Sequence, residues 1–228
     1  YTSRHLAEAA REEGGAKYNA DLKRYVVPDW TRTVTAFVDV QGGRNARFEV
    51  RVFAVGEHKE HALIDAYAIK TSNRDGLGDE KAPIDPASHP ADWDLITEKV
   101  VDATYRTSDP DREIRVRRTV VDSGGEAGVT DKAYAWYRRL RKEGKHRRVR
   151  LTKGNNSKVD WHVRETQVGG KQGEGDVPLL LFDPNKFKDM VAAGRRRRTG
   201  GETWHCHQGE AQQEGNVLHL RDLRTATW

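Results

Sequence analysis

Residues 33–43, TVTAFVDVQGG, form a strand pattern that ends on a carboxylate, and no other stretch constrains the chain as much. Apolar and β-branched residues alternate there. The alternation predicts Val34, Ala36, Val38 and Val40 on one face, with Thr33, Thr35, Phe37 and Asp39 on the other. A carboxylate on a strand of core quality is costly to desolvate unless it is paired or holds a cation. Residues 114–122, IRVRRTVVD, repeat the design, with an acid at the strand exit followed by Ser123-Gly124-Gly125. Glycines after each acid let the backbone come close to a phosphate. Side by side, such strands bring Asp39 and Asp122 together as a pair suited to a hard divalent cation such as Mg²⁺. The competing reading makes each a turn aspartate; the repeated pattern favours a site.

The rest of the chain supplies a frame for those two strands. Residues 48–56 and 61–70 alternate well and follow the first strand through short turns, which predicts an antiparallel meander. Asp65, on the parity of Leu63 and Tyr67, reads as facing solvent in preference to serving as a further ligand. Residues 71–89 read as a polar Gly/Asp/Pro loop. Pro90 then opens a helix with Trp93, Ile96, Val100 and Ala103 on one face. A second helix begins near Thr130 and Asp131 and carries Ala133, Trp136, Tyr137 and Leu140 as its apolar stripe. Residues 147–153 read as a strand, 154–176 as a loop and 177–182 as buried strand material. Asp183 caps a last helix with Phe187, Met190 and Val191 inward and Gly194 as its stop. From 199 onward no periodicity appears. This order predicts an α/β fold, a mixed sheet in which a three-strand antiparallel meander is followed by βα units, with helices on both faces.

Charge points to the partner. The chain has 228 residues, a formal net charge of +5 and 33% charged residues. The basic excess is concentrated in Arg138, Arg139, Arg141, Lys142, Lys145, Arg147, Arg148, Arg150 and Lys153, with Glu143 the single acid among them. Such a run is often only a solvated face. Nine positive charges against one negative favour contact with nucleic-acid phosphates. The single cysteine, Cys206, excludes an internal disulfide and suits a reducing compartment. No apolar run approaches the ~20 residues that span a bilayer, so no membrane partner is expected. His205, Cys206, His207 and His219 lack the separated ligand pairs of structural zinc sites and form a weak metal signal. No GxxxxGK[ST] motif occurs, which excludes P-loop nucleotide hydrolysis.

Several stretches in order carry a family resemblance: VPDWTRTVTAFVDVQGGR, FEVRVFAVGEHKEHALIDAYAI, HPADWDLITEKVVDATY, VVDSGGEAGVTDKAYAWYRRLR, the Lys153-Gly154 pair and DPNKFKDMV before Gly194. Over roughly residues 20–194 the chain resembles the nuclease part of the large terminase subunit of tailed bacteriophages, in the branch that includes phage lambda. The resemblance implies a ribonuclease-H-like fold and an endonuclease that cuts concatemeric double-stranded viral DNA with two Mg²⁺ or Mn²⁺ ions. It implies that Asp39 is the first-strand metal ligand and Asp122 the acid of the fourth strand. The implied partners are DNA, the ATPase motor region preceding the nuclease, the small terminase subunit and the portal, in the host cell cytoplasm. Residues 1–32 are then expected to be a helix and linker from that motor, 33–194 the nuclease domain, and 195–228 a basic, irregular tail. The family's closing helix with Asn-Glu and then Asp has no counterpart after Gly194. Asp189 and Asp222 are the candidate stand-ins for its third metal-binding acid. A catalytically incomplete DNA-binding module is the alternative expectation.

Overall fold

Alternation of buried and exposed positions locates the core. In the computed structural model, which describes residues 17–18, 23–57, 60–76, 80–155, 157, 159–169, 176–196 and 203–206, the first long strand is β3 (Thr31–Gln41). Val34, Ala36, Val38 and Val40 are buried and Phe37 is exposed, as the sequence pattern requires. Two short strands precede it, β1 (Lys17–Tyr18) and β2 (Val26–Val27). β4 (Arg47–Gly56) and β5 (Glu60–Ile69) complete the antiparallel meander.

The next segment differs from its sequence reading. Residues 71–89 hold a hairpin, β6 (Thr71–Asp75) against β7 (Lys81–Pro83). Its anchor is Asp92, a fully buried carboxylate that accepts from Ser72, from the Arg74 guanidinium at 3.1 and 3.2 Å, and from the Asp85 N–H at 2.7 Å. Helix α1 follows over residues 90–101, built from 3-10, α and π turns. It buries Trp93, Ile96 and Val100. The expected strand over 114–122 is two strands, β9 (Glu113–Arg115) and β10 (Arg118–Asp122). β9 joins β8 (Thr104–Thr107) and β2 in a small separate sheet. The break falls where Val116 is buried and the Arg117 N–H turns to bond Val34 O at 2.9 Å.

Helix α2 (Val129–Lys142) buries Ala133, Trp136, Tyr137 and Leu140, the stripe read from sequence. Its Trp136 ring lies 5.7 Å from that of Trp93, which in turn lies 5.6 Å from Phe48 of β4. Helices α1 and α2 therefore cover the face of the sheet that carries Val34 to Val40. β11 (Val149–Gly154), β12 (Val163–Val168) and β13 (Val177–Phe182) extend the sheet. β12 lies in the stretch expected to be a loop. Its residues are mostly exposed and charged or polar, as suits an edge strand, so periodicity does not reveal it.

Asp183 caps helix α3 (Pro184–Arg196), accepting from the N–H groups of Asn185 at 2.9 Å and Lys186 at 3.2 Å. Phe187 meets Phe182 edge-on, and Phe182 shares the parity of Leu180, opposite buried Val177 and Leu179. Helix α3 thus starts on the other face of the sheet. Met190 is exposed, not inward, and the helix runs through Gly194 to Arg196. β14 (Thr203–Cys206) adds a strand where the sequence shows no periodicity. Of the helix and linker expected over residues 1–32, residues 1–16 and 19–22 lie outside the described residues, as do His207, His219 and Asp222.

The large sheet has the order β1-β14-β5-β4-β3-β10-β11-β13-β12. β3, β10, β11 and β13 run parallel, and β4 is antiparallel to both of its neighbours. Among the described residues no helix is long and apolar enough to cross a membrane.

Candidate active site

β3 and β10 are hydrogen-bonded neighbours, and their register carries the two acids to one level. Arg118 pairs with Thr35, Val120 with Phe37 and Val121 with Val38. One residue further along, Asp122 stands beside Asp39, on strands about 4.8 Å apart. Both point away from the Val38 and Val121 core face, because side chains alternate along each strand. Asp122 is buried and Asp39 half-buried.

Each carboxylate has one neutral hydrogen-bond partner. Gln41 Nε2 donates to Asp39 Oδ2 at 2.5 Å, and the Gly124 N–H donates to Asp122 Oδ1 at 2.8 Å. Among the described residues Asp39 Oδ1 is buried with no hydrogen-bond partner. Burial raises the Asp39 pKa, and the charge of Glu49, directly across on β4, raises it further; the Gln41 bond, Arg47 and Arg51 oppose this. Burial likewise pushes Asp122 up to about 6, with the charge of Asp39 adding to it and the Gly124 N–H and Lys153 opposing it. A buried and a half-buried carboxylate, each with ionisation opposed by burial and one oxygen lacking a donor among the described residues, are a donor set that a hard cation satisfies.

Sequence reasoning missed Glu49, Gln41 and Glu126 around this pair. Glu49 is held by Arg47 at 2.5 Å and Arg51 at 3.3 Å, so its charge is already compensated. Gln41 fixes the free orientation of Asp39, and its place two residues on, at the same strand parity, is a signal readable in hindsight. Gly124 is tight: a Cβ there would stand 3.2 Å from Asp122 Oδ1 and 3.6 Å from Lys153 Cγ. A Cβ on Gly42 would run into Glu126, whose side chain therefore covers the exit of β3. The glycines after each acid thus admit side chains of neighbouring loops and strands as well as backbone.

The other expected site residues separate into groups. Asp189 is exposed on α3, and among the described residues no three His, Cys, Asp or Glu side chains converge as a metal-binding group. Asp65 is buried, contrary to its sequence reading. A β-bulge between Val52 and Phe53 of β4 leaves Ile64 extra on β5, so Ile64 and Asp65 are consecutive buried positions. Asp65 then accepts from Tyr105 Oη at 2.9 Å and the Ala66 N–H at 2.8 Å and lies 3.8 Å from Arg24, a structural network.

The basic run divides as well. Arg139 pairs with Asp94 at 2.6 Å, while Lys145 and Arg148 both hold Asp102, at 2.7 and 2.6 Å. These three tie α2 and the turn after it to α1. Arg141 donates to Asp176 O. Lys142 and Arg147 are exposed, Arg138 and Arg150 are half-buried, and Lys153 lies beside Asp122.

A family model, terminase large subunit gpA, endonuclease domain, matches residues 3–214 of the chain. No curated protein and no solved structure gives a match.

Proposed function

The chain belongs to the family of terminase large subunit gpA endonuclease domains, whose role is DNA cleavage in phage packaging, and from that membership we propose a divalent-metal-dependent endonuclease acting on double-stranded DNA. One observation carries the metal: Asp39 Oδ1 is buried with no donor among the described residues, one strand away from the buried Asp122. Asp39 and Asp122 would hold Mg²⁺ or Mn²⁺, with Asp39 shared if two ions bind. Bound there, the ions supply Lewis acidity, acidifying a water and stabilising charge on phosphoryl oxygens.

The chain's own residues do the positioning. Gln41 and the Gly124 N–H each occupy one carboxylate oxygen, so the other oxygens would be the ones to hold the cation. Arg47 and Arg51 compensate Glu49, so that the like charge opposite Asp39 is damped. Lys153, beside Asp122, is placed to meet a phosphate oxygen at the site, and the exposed basic residues among 138–153 would meet the phosphates flanking it. Contacts of this kind position DNA without reading its sequence. Asp189 and Asp222 remain the proposed sources of a third acid.

The meander β5-β4-β3, joined in parallel by β10 and β11 from successive βα units, supports a ribonuclease-H-like reading. The motor region of the same subunit, the small subunit and the portal follow as proposed partners, in the host cytoplasm. A second reading, a DNA-binding module with an incomplete site, is favoured by the lack of three converging acids among the described residues.

Nicking of supercoiled plasmid against added Mg²⁺ or Mn²⁺ separates the two. The endonuclease reading expects metal-dependent nicking, abolished by EDTA. It also expects Asp39→Asn to lower the rate by more than the ~10–100-fold typical of losing an outer-shell partner. Wild-type protein that binds DNA but nicks it with neither metal would establish the second reading instead.

A further inference from the structure

Four arginines cluster around the starts of β10 and β11, at the end of the sheet away from the acid pair. Arg118 opens β10 and Arg117 precedes it; Arg150 lies on β11 and Arg147 just before that strand. Arg118 Nη1 donates to Arg147 O at 2.5 Å. Burial and the charges of Arg150 and Arg117 lower the Arg118 pKa, and burial with Arg141, Arg147 and Arg150 lowers that of His146. Among the described residues none of the four arginines pairs with a carboxylate. Their neighbours Arg139, Lys145 and Arg148 all do. Uncompensated like charges held this close destabilise the free protein and attract a polyanion.

Register fixes where two of them point. Arg118 pairs with Thr35, and Val120 pairs with both Phe37 and Arg150. Paired residues of parallel strands share a face, so Arg118 and Arg150 lie on the face of Phe37, Asp39 and Asp122. Four residue steps of β10 carry Arg118 ~13 Å from Asp122 at about 3.3 Å per residue, while Arg150, level with Val120, stands two steps or ~7 Å along, so the two span roughly two to four base-pair steps of duplex. Between the two ends Phe37 is 44% exposed, an apolar floor against which a deoxyribose can rest.

We propose that Arg118 and Arg150, with Arg117 and Arg147 beside them, are a second phosphate station for double-stranded DNA, roughly two to four base-pair steps from the acid pair along the sheet. The proposal takes its ligand from the endonuclease reading and adds the path the duplex follows across the sheet. Guanidinium groups suit the role because their planar donors engage phosphate oxygens in pairs. The station also assigns phosphate contact to Arg117 and Arg118, which lie outside the 138–153 run.

The test is equilibrium binding of a short duplex to the full chain across a salt series, in EDTA, for wild type and Arg118→Ala/Arg150→Ala. Wild-type plasmid nicking with Mn²⁺ is measured beside it. The station predicts roughly 10-fold weaker binding and a slope of log K on log salt reduced by about 1.8, two phosphates at ~0.9 each. Unchanged affinity and slope in a variant that melts like wild type would overturn it. If the variant melts early, Arg117→Ala/Arg147→Ala, at the two exposed arginines beside them, is measured in the same way. Weakened binding with a reduced slope in a variant that melts like wild type supports the station, and an unchanged affinity and slope overturns it. An unchanged variant beside normal wild-type nicking sinks the station alone. Lost binding in the variant beside absent wild-type nicking sinks the endonuclease reading and leaves the station standing.

Discussion

Asp122 is a carboxylate that the fold buries beside another carboxylate, and its ionisation has a measurable cost. Its native pKa of about 6 lies above the ordinary 3.8. The native state therefore holds a proton between those values that the unfolded chain has released. The corresponding stability is fully present below pH 3.8 and is lost as pH rises through about 6. Asp122→Asn should accordingly stabilise the metal-free protein at pH 7.5 by up to ~3 kcal/mol, at about 1.4 kcal/mol per pKa unit. Urea denaturation in EDTA measures it; a variant no more stable than wild type would show that the buried charge is compensated. Added Mn²⁺ should narrow the gap, since a ligand of the native state stabilises only the protein that binds it. The side-by-side placement of Asp39 and Asp122 was legible in the sequence because each ends an apolar alternation before glycine. Asp65 was not, since the bulge that turns it inward depends on one extra residue relative to β4. Gln41 escaped because a glutamine carries no signal until its acceptor is known.

Among the elements, the β6–β7 hairpin owes its place to one buried carboxylate. Burial opposes ionisation of Asp92, yet Arg74, the Asp85 N–H and Ser72 hold its pKa below the usual carboxylate range. Removing one partner of such a pair strands the other. Asp92→Ala should cost about 3–5 kcal/mol of unfolding free energy, with Asp92→Asn milder. Chemical denaturation tests this, and a loss under about 1 kcal/mol, the range of exposed pairs, would place the network at the surface. The hairpin was unreadable because its strands are polar and its hold comes from Asp92, which follows them in the chain. By contrast, the long strands and α2 were read correctly from their periodicity. Trp93 and Trp136 lie on the expected stripes and meet each other in the core. The same logic explains why residues 114–122 were read as one strand: the alternation runs on through Val116 and Arg117, where the backbone changes partner.

Across the whole molecule, the sheet separates two jobs. One face is apolar and covered by α1 and α2; the other carries the acids at the carboxyl ends of β3 and β10 and Arg118 and Arg150 toward the opposite end of β10 and β11. The meander and the order of the βα units were legible from turn lengths and hydrophobic periods. Which basic residues are occupied with Asp94 and Asp102 was not, because those pairs join segments more than forty residues apart. The central claim is that Asp39 and Asp122 together hold a divalent cation, and it is tested most directly by anomalous diffraction from crystals soaked in Mn²⁺. A peak within about 2.0–2.6 Å of Asp39 Oδ1 and of an Asp122 oxygen, lost in Asp39→Asn, is the predicted result. Density at neither carboxylate in crystals of protein that nicks DNA with Mn²⁺ would contradict it.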